Sequence, residues 1–244
     1  MKITQHRSKS LPRKLLTWGE ENPKLAKAVN WYQVGLNLMP TKKLCPYQTE
    51  GCTAPCLVHQ GRGAMASIIN ARMLRNWILE NHPVMFSDTI HTELLNAKRR
   101  GEKKHLPLLA RMNLTSDKMW YRDKLFKQWY DIEEIWFEEY TKIPIRYYKN
   151  KPDHMHLTFS RSESNMVDCW EALNHGVNVA VVMEKEDGAW PQSWMGYPTL
   201  DGDISDERID DPSGHWVLLK PKGSIKNDTT GMVVRKEEWN AKSA

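Results

Sequence analysis

Seven short apolar runs alternate with amphipathic or polar segments along the middle of the chain. They span residues 30–38, 106–112, 134–140, 154–160, 177–183, 196–200 and 215–221. Runs such as VNVAVVM lack the strict alternation of a half-exposed strand, so they predict strands that are buried on both faces. Strands interleaved with helices favour a parallel sheet. The pattern therefore predicts a single α/β domain built as a partial or complete (β/α) barrel, with an open doubly wound sheet as the alternative.

Four segments carry a helical pattern. The first follows Gly63, and its apolar residues recur at helical spacing, which predicts that they face the core. These residues are Ile68, Ile69, Met73, Leu74, Trp77 and Ile78. Pro83 is predicted to end this helix. Further helices are predicted over residues 87–100, 121–131 and 163–175.

Charge divides the chain into a body and two flanking segments. Residues 1–43 contain nine Lys or Arg against Glu20 and Glu21, a balance of +7, and the whole chain carries +5, so the remainder totals −2. We therefore predict a basic N-terminal arm over residues 1–29, a body over residues 30–222 and a peripheral polar tail over residues 223–244. The arm either contacts nucleic acid or is a solvated terminus, and its composition does not decide between the two.

The apolar runs also bear on the cellular compartment. None approaches the roughly 18 apolar residues of a membrane span, and the basic N-terminus lacks the apolar run of a signal peptide. The sequence thus predicts a cytoplasmic protein without a membrane partner. Thiols stay reduced in that compartment, so cysteines that are close in sequence favour a metal site over disulfides.

Three of the four cysteines fall in the segment CPYQTEGCTAPC, between the first predicted strand and the first predicted helix. Cys45, Cys52 and Cys56 are the predicted metal ligands. A [4Fe-4S] cluster accepts three cysteines and leaves one iron open, which makes it the preferred interpretation. Structural zinc is the alternative, and it requires a fourth ligand such as His59 or Cys169. Cys169 lies in the middle of a predicted helix, where we expect it to pack as a small hydrophobic residue.

Polar residues follow the predicted strands, and in α/β barrels chemistry occurs beyond the carboxyl ends of the strands. The predicted cofactor-binding residues are Asn113, Ser116, Asp117, Lys142, Ser160 and Glu163. The wider polar set adds Thr115, Glu139, Tyr140, Thr141, Arg161, Ser162, Glu184, Lys185, Asp201, Asp203, Asp206, Arg208, Lys220 and Lys222. Converging carboxylates and cations can bind a zwitterion or a phosphate. The alternative for Ser160–Glu163 and for Asp117 is helix capping.

The order of strand, three-cysteine loop and helix resembles the radical S-adenosylmethionine enzymes. In those enzymes the loop spacing is C-x3-C-x2-C, whereas this chain has C-x6-C-x3-C. The resemblance implies a [4Fe-4S] cluster, S-adenosylmethionine as a second cofactor and a radical reaction on a substrate such as a nucleotide or nucleic acid. Whether the protein is catalytic stays open.

A second resemblance covers most of the chain. The segments CPYQTEGCTAPCLVHQGRG, ARMNLTSD, HLTFSRSE, GVNVAVVM, GYPTLDGDISDERIDDPSG and KPKGSIKNDTTG are similar to a bacteriophage family known as gene product 88. This resemblance implies a phage-encoded protein of the bacterial host cytoplasm. The predicted function is an iron–sulfur protein related to radical S-adenosylmethionine enzymes. The alternative is a metal-stapled nucleic-acid-binding protein without catalysis, used in phage replication or host takeover.

Overall fold

The protein contains a single large sheet. The computed structural model describes residues 12, 14–21 and 30–240, and within them it has ten strands. The strands are β1 Leu16–Trp18, β2 Tyr32–Leu36, β3 Leu108–Arg111, β4 Ile135–Thr141, β5 Met155–Ser160, β6 Asn178–Met183, β7 Ser193–Trp194, β8 Tyr197–Asp201, β9 Trp216–Leu219 and β10 Val233–Val234. The helices are α1 Glu50–Thr53, α2 Ala66–Asn81, α3 Pro83–Lys103, α4 Met166–Asn174 and α5 Lys236–Asn240.

The sheet has the order β1-β2-β3-β4-β5-β6-β9-β8-β7, and β10 pairs with β6 beyond the end of β5. Strands β2 to β6, β9 and β8 are parallel neighbours, whereas β1 and β7 pair antiparallel at the two outer positions. These seven parallel strands are the seven that the apolar runs predict. The α/β class is therefore confirmed. Within the described residues no pairing joins β1 to β7.

The sheet extends beyond residues 30–222 at both ends. β1 pairs with β2, and its neighbour Leu15 is fully buried. β10 adds to β6 and Trp239 is buried, so the first part of the polar tail is not peripheral. Two apolar residues are too short a run to stand out in the sequence, and their strand forms only because β6 offers a free edge there.

Two hydrophobic clusters pack against the sheet. The larger contains α3 and the strands from β1 to β5, with Phe86, Ile90 and Leu94 fully buried. The smaller contains α4 and the strands β6 and β9, with Trp194 and Trp216 in contact at 4.6 Å between ring centroids. No helix in the described part of the chain is long and apolar enough to cross a membrane.

Two predicted helices differ from the observed ones. Residues 121–131 form 3-10 turns at Trp120–Arg122 and Lys127–Trp129 instead of an α-helix, because the rings of Trp120, Phe126 and Trp129 pack on each other at centroid distances of 4.9 to 5.5 Å. The second predicted helix begins earlier than residue 87. Pro83 ends α2 as predicted and also opens α3, since proline suits the first turn of a helix.

Candidate metal centre and ligand cavity

A cavity of about 1040 Å³ lies at the carboxyl ends of the parallel strands. Cys45, Cys52 and Cys56 all line it, and His59 lines it as well. All the cysteines are free thiols. The placement agrees with the rule that α/β folds bind ligands beyond the carboxyl ends of their strands. The three cysteines that the sequence brings together therefore share one cavity with the polar residues of the strand ends.

Glu163 anchors the cysteine loop. Its Oε1 accepts a hydrogen bond from the Gly51 backbone N–H at 2.9 Å, and its Oε2 accepts one from Thr49 Oγ1 at 2.8 Å. Burial disfavours the charge of this carboxyl, but these hydrogen bonds outweigh it and hold its pKa below the ordinary value. A Cβ on Gly51 would lie 2.7 Å from Met232 Cβ, so only glycine fits there. Glu163 thus binds the loop that carries the thiols and does not cap α4.

Helix α2 closes the cysteine loop from one side with polar residues. Asn76 accepts a hydrogen bond from Met39 N–H at 3.0 Å and donates one to Met39 C=O at 2.8 Å, which fixes the chain entering the loop. Arg72 is only 7% exposed and donates from Nη1 to Gly63 C=O at 3.0 Å. Its Nε has no hydrogen-bond partner among the described residues. The predicted inward face of this helix is therefore only partly observed, because Ile78 is fully buried while Arg72 and Asn76 occupy the other buried positions.

The prediction is wrong for Met73, Leu74 and Trp77, which are exposed. The surface that α2 covers is polar loop backbone, which needs hydrogen bonds more than apolar contact. Apolar residues at helical spacing mark the buried face of a helix only where the surface that it covers is apolar.

Burial dominates the electrostatics of the thiols. It raises the pKa of Cys45 to about 12, with the charge of Asp117 as the next contribution, and it also raises the pKa of Cys56. Arg72 and Lys142 act in the opposite direction on the pKa of Cys56.

In the described residues no three His, Cys, Asp or Glu side chains stand close enough together to hold a metal ion. Metal binding therefore requires the loop to bring its thiols closer.

The residues predicted after β3 are engaged in protein hydrogen bonds. Asn113 Oδ1 accepts from Ser116 Oγ at 2.9 Å, Lys118 N–H at 3.0 Å and Trp120 Nε1 at 2.9 Å. Asp117 accepts from Thr141 Oγ1 and from Lys142 N–H, both at 2.7 Å. Asn113, Ser116 and Asp117 all line the cavity. Their observed bonds shape the wall by joining the ends of β3 and β4.

Other lining residues keep polar atoms uncommitted. Over the described ranges, no hydrogen bond or ion pair engages the Lys142 ammonium, the Ser160 hydroxyl, the Tyr140 hydroxyl or the Lys220 ammonium. Lys222, in contrast, pairs with Asp203 at 2.5 Å. The uncommitted groups are the ones available to a ligand.

A loop opposite the cysteines forms the far wall, with Gly202 to Glu207 among the lining residues. Arg208 fastens this loop, because its backbone N–H donates to Glu138 Oε2 at 2.7 Å. Arg111 lies on the other side of the same carboxyl, 3.6 Å from Glu138 Oε1. Arg208 is 2% exposed, so part of the aspartate-rich run is buried in the fold.

Sequence reasoning missed two residues, Gln33 and Arg72. Gln33 lines the cavity and is 2% exposed, and its Oε1 lacks a partner in the described part of the chain. A signal was available, because Gln33 is a polar residue inside the buried strand β2.

Cys169, predicted to be a core residue, is fully buried, and its thiol donates to Asn165 Oδ1 at 3.6 Å. That prediction is confirmed.

The comparisons with known proteins identify one family. The family model described as Gene product 88 matches residues 8–236. No curated protein and no solved structure matches the chain. The match agrees with the resemblance seen in the sequence motifs and supports a bacteriophage source. Because it covers most of the sequence, the protein belongs to the gene product 88 family.

Proposed function

We propose that the protein is a phage-encoded iron–sulfur protein in which Cys45, Cys52 and Cys56 hold a [4Fe-4S] cluster at the cavity wall. The observation that carries the proposal is Arg72, a buried guanidinium beside Cys56 whose Nε has no hydrogen-bond partner in the described residues. Arg72 donates one hydrogen bond to Gly63 C=O, but a buried charge without an ion-pair partner in the described residues is costly and calls for an anionic neighbour. Three thiolates around a cluster supply one.

The donor set fits the cluster in three further respects. The thiols share one cavity and none is used in a disulfide. Lys142 places a second cation near Cys45 and Cys56. Glu163 and Asn76 fix the loop at two points, and Asp117 N–H holds the Leu44 C=O between them at 2.7 Å. When bound, such a cluster supplies an electron-transfer centre and one open iron for a small ligand.

We further propose that the sheet curls into a partial barrel around the cavity. Gln33 of β2 and Leu219 of β9 line the same cavity although five strand-to-strand steps separate them. In a flat sheet these steps would span roughly 24 Å. A curved sheet brings the two strands to one cavity, with β3 to β6 forming the wall between them.

The small ligand that we propose for the open iron is S-adenosylmethionine. Lys142 and Ser160 offer it uncommitted polar atoms, whereas Asn113, Ser116, Asp117 and Glu163 act by holding the surrounding loops. Lys142 is suited to the carboxylate of a zwitterion, because its ammonium makes no ion pair within the described residues. If S-adenosylmethionine binds at the open iron, the proposed protein is an enzyme that acts on a nucleotide or nucleic acid.

The metal proposal is tested by purifying the full chain without oxygen and measuring iron, acid-labile sulfide and zinc. We expect about four irons with matching sulfide per chain. Cys45→Ser, Cys52→Ser and Cys56→Ser should each lose most of the metal. Cys169→Ser is the matched control, and it should keep the metal because its thiol lies in the core.

Zinc is the alternative metal, and one observation favours it. His59 lines the cavity together with the three cysteines and completes a Cys3His set. Stoichiometric zinc without sulfide, lost in His59→Ala, would replace the iron–sulfur proposal with a structural site. In that case the function is a metal-stapled nucleic-acid-binding protein, which should bind DNA or RNA with a slope of roughly −0.9 in log K against log salt per phosphate contact.

The cofactor proposal needs a separate measurement. S-adenosylmethionine should bind the metal-loaded protein and not the metal-free protein, as followed by calorimetry under anaerobic conditions. Lys142→Ala should weaken binding by about ten-fold while leaving the metal in place. Lys149→Ala, at an exposed lysine that does not line the cavity, serves as the control. Equal affinity with and without metal would refute this part of the proposal.

A further inference from the structure

The cavity extends a considerable distance along the strands. Gln33 pairs in register with Leu109, and Leu109 pairs with Trp136, so these three residues lie at one level of the sheet. Tyr140 lies four residues farther along β4 and lines the same cavity. At about 3.3 Å per residue the two levels are roughly 13 Å apart. The cavity therefore suits an elongated ligand that reaches from Gln33 to the strand ends.

Gln33 marks the deep end of this cavity. Its side chain is almost completely buried, and its Oε1 finds no hydrogen-bond partner in the part of the chain that the structure describes. A buried amide oxygen left without a partner costs about 1–3 kcal/mol. A side-chain amide presents an acceptor and a donor next to each other. The matching ligand group is a donor and an acceptor in the same arrangement, as on the edge of a nucleobase.

Leu114 provides an apolar surface beside Gln33. Leu114 lies on β2 where Gly35 has no side chain, and a Cβ on Gly35 would lie 2.7 Å from Leu114 Cγ. Leu114 therefore covers the strand two residues from Gln33, on the same face. Ile204 of the opposite loop, Val182 and Leu219 also line the cavity, but Leu219 pairs with Val182 and directly precedes Lys220, so these two belong to its mouth. The apolar surface beside Gln33 is therefore Leu114, which favours a planar heterocycle over a charged chain at this edge.

The mouth of the cavity is cationic where the deep end is neutral. Lys220 and Lys142 line it, and across residues 30–240 neither ammonium group has a hydrogen bond or an ion pair. Lys222 is already paired with Asp203. Two uncommitted ammonium groups at the end opposite Gln33 are suited to a phosphate.

We propose that the cavity binds a nucleoside phosphate, with the base at Gln33 and the phosphate at Lys220, while Lys142 is left to the carboxylate of S-adenosylmethionine when that ligand is bound. This names the substrate class of the proposed function and rests on it only in sharing the cavity, since none of these contacts uses the metal. S-adenosylmethionine also contains an adenosine group, so the probes must distinguish a nucleotide from S-adenosylmethionine as the ligand that places a base at Gln33.

The test is equilibrium binding of defined probes to the full chain, in both its metal-loaded and metal-free forms. The probes are AMP, GMP, CMP, UMP, adenosine, inorganic phosphate and S-adenosylmethionine. We expect one monophosphate to bind more tightly than the other three, and more tightly than its nucleoside or phosphate alone. In the metal-free form, tighter binding of S-adenosylmethionine than of every monophosphate would overturn the assignment of the phosphate to Lys220.

Two variants address the two ends of the ligand. Gln33→Leu should weaken the preferred nucleotide by about ten-fold and leave phosphate binding unchanged. Its fold should be intact, because leucine replaces an unpartnered amide with an apolar group of similar size. Lys220→Ala should weaken the nucleotide and phosphate but not the nucleoside. Gln192→Leu, at an exposed glutamine, is the matched control and should change nothing.

The outcomes separate this inference from the metal proposal. Nucleotide binding by a protein that contains no iron, sulfide or zinc after anaerobic purification would keep the inference and remove the metal centre. A metal-loaded, folded protein that binds no monophosphate at millimolar concentration would remove the inference alone. Equal losses in Gln33→Leu and Gln192→Leu, or equal affinity for all four bases, would also overturn it.

Discussion

Helices α2 and α3 are consecutive in the chain, and only His82 separates them. Their buried faces nevertheless differ in polarity. α3 buries mainly apolar residues against the sheet, with Ser87 and Glu93 as the polar exceptions. α2 buries Arg72 and Asn76 beside Ile78 and leaves Trp77 43% exposed. The partner decides which face a helix buries.

The two helices therefore have different roles, since α3 stabilises the fold whereas α2 holds the candidate metal site. α3 covers an apolar sheet, so its inward residues stabilise the fold by removing apolar surface from water. α2 covers the cysteine loop, so its inward residues hold backbone groups and bring a cation to the thiols. Substitutions in the two helices should therefore change different quantities, and four variants test this.

The largest expected effect is on the stability provided by α3. Phe86→Ala should lower the free energy of unfolding by about 3–5 kcal/mol, because it empties a site packed against Phe126 and Trp129. Denaturant unfolding measures this loss. Metal content per folded molecule should stay unchanged. Val84→Ala, at an exposed position of the same helix, is the control. A loss below about 1 kcal/mol in Phe86→Ala would show that α3 does not form the core contact described.

Asn76→Leu should have the next largest effect. It leaves the N–H and C=O of Met39 without their partners and should cost about 1–3 kcal/mol of unfolding free energy. It should also speed the release of metal to a chelator, since Met39 leads into the cysteine loop. Asn70→Leu, at an exposed position of α2, provides the comparison and should have neither effect. Lower stability with unchanged metal release would separate Asn76 from the metal site.

Arg72→Met should change the metal more than the fold. The substitution removes one hydrogen bond to Gly63, but it also removes the free-energy cost of burying a guanidinium. The unfolding free energy of the metal-free protein should therefore change by about 1 kcal/mol or less. Metal affinity should fall by about ten-fold, because a cation beside the thiolates is removed. Competition with a chelator measures that affinity. Arg99→Met, at an exposed position of α3, is the charge-matched control. Unchanged metal affinity would contradict the role proposed for Arg72.

Trp77→Ser should have the smallest effect, although Trp77 is the largest apolar side chain in α2. Its ring is exposed and contacts His82 at 5.2 Å between centroids. We expect a change within about 0.5 kcal/mol in unfolding free energy and none in metal content. A loss above 2 kcal/mol, comparable to a core substitution, would restore the predicted orientation of the helix.

Much of the fold follows from local pattern. Each of the seven parallel strands lies within or next to its predicted run, because strands covered on both faces need continuous apolar residues. Their parallel pairing follows from the helices and loops between them. β10 could not be predicted, because a two-residue strand has no pattern and forms only where β6 offers an edge.

The candidate site also has one part that the local sequence predicts and another that it does not. The spacing of Cys45, Cys52 and Cys56 and their position between a strand and a helix placed them at the carboxyl end of the sheet, since this end collects the loops after each strand. The sequence could not distinguish Asp117 and Glu163, whose carboxylates are engaged by neighbouring loops, from Lys142, whose ammonium is uncommitted. Hydrogen-bond commitment depends on partners distant in sequence, which local spacing does not encode.

The sequence by itself determined the α/β class, the seven parallel strands, the three-cysteine loop and the burial of Cys169. These depend on periodicity, on short-range spacing and on the solvation preference of single residues, all of which are local. Only the tertiary structure decided that α2 buries Arg72 close enough to affect the pKa of Cys56, and that Arg208 fastens the opposite loop through Glu138. It also decided that Gln33 lines the cavity with an Oε1 that has no partner in the described residues. The physical reason is that the hydrogen-bond partners of a buried polar group come from other elements of the fold. Those elements contact the group only once the sheet has formed.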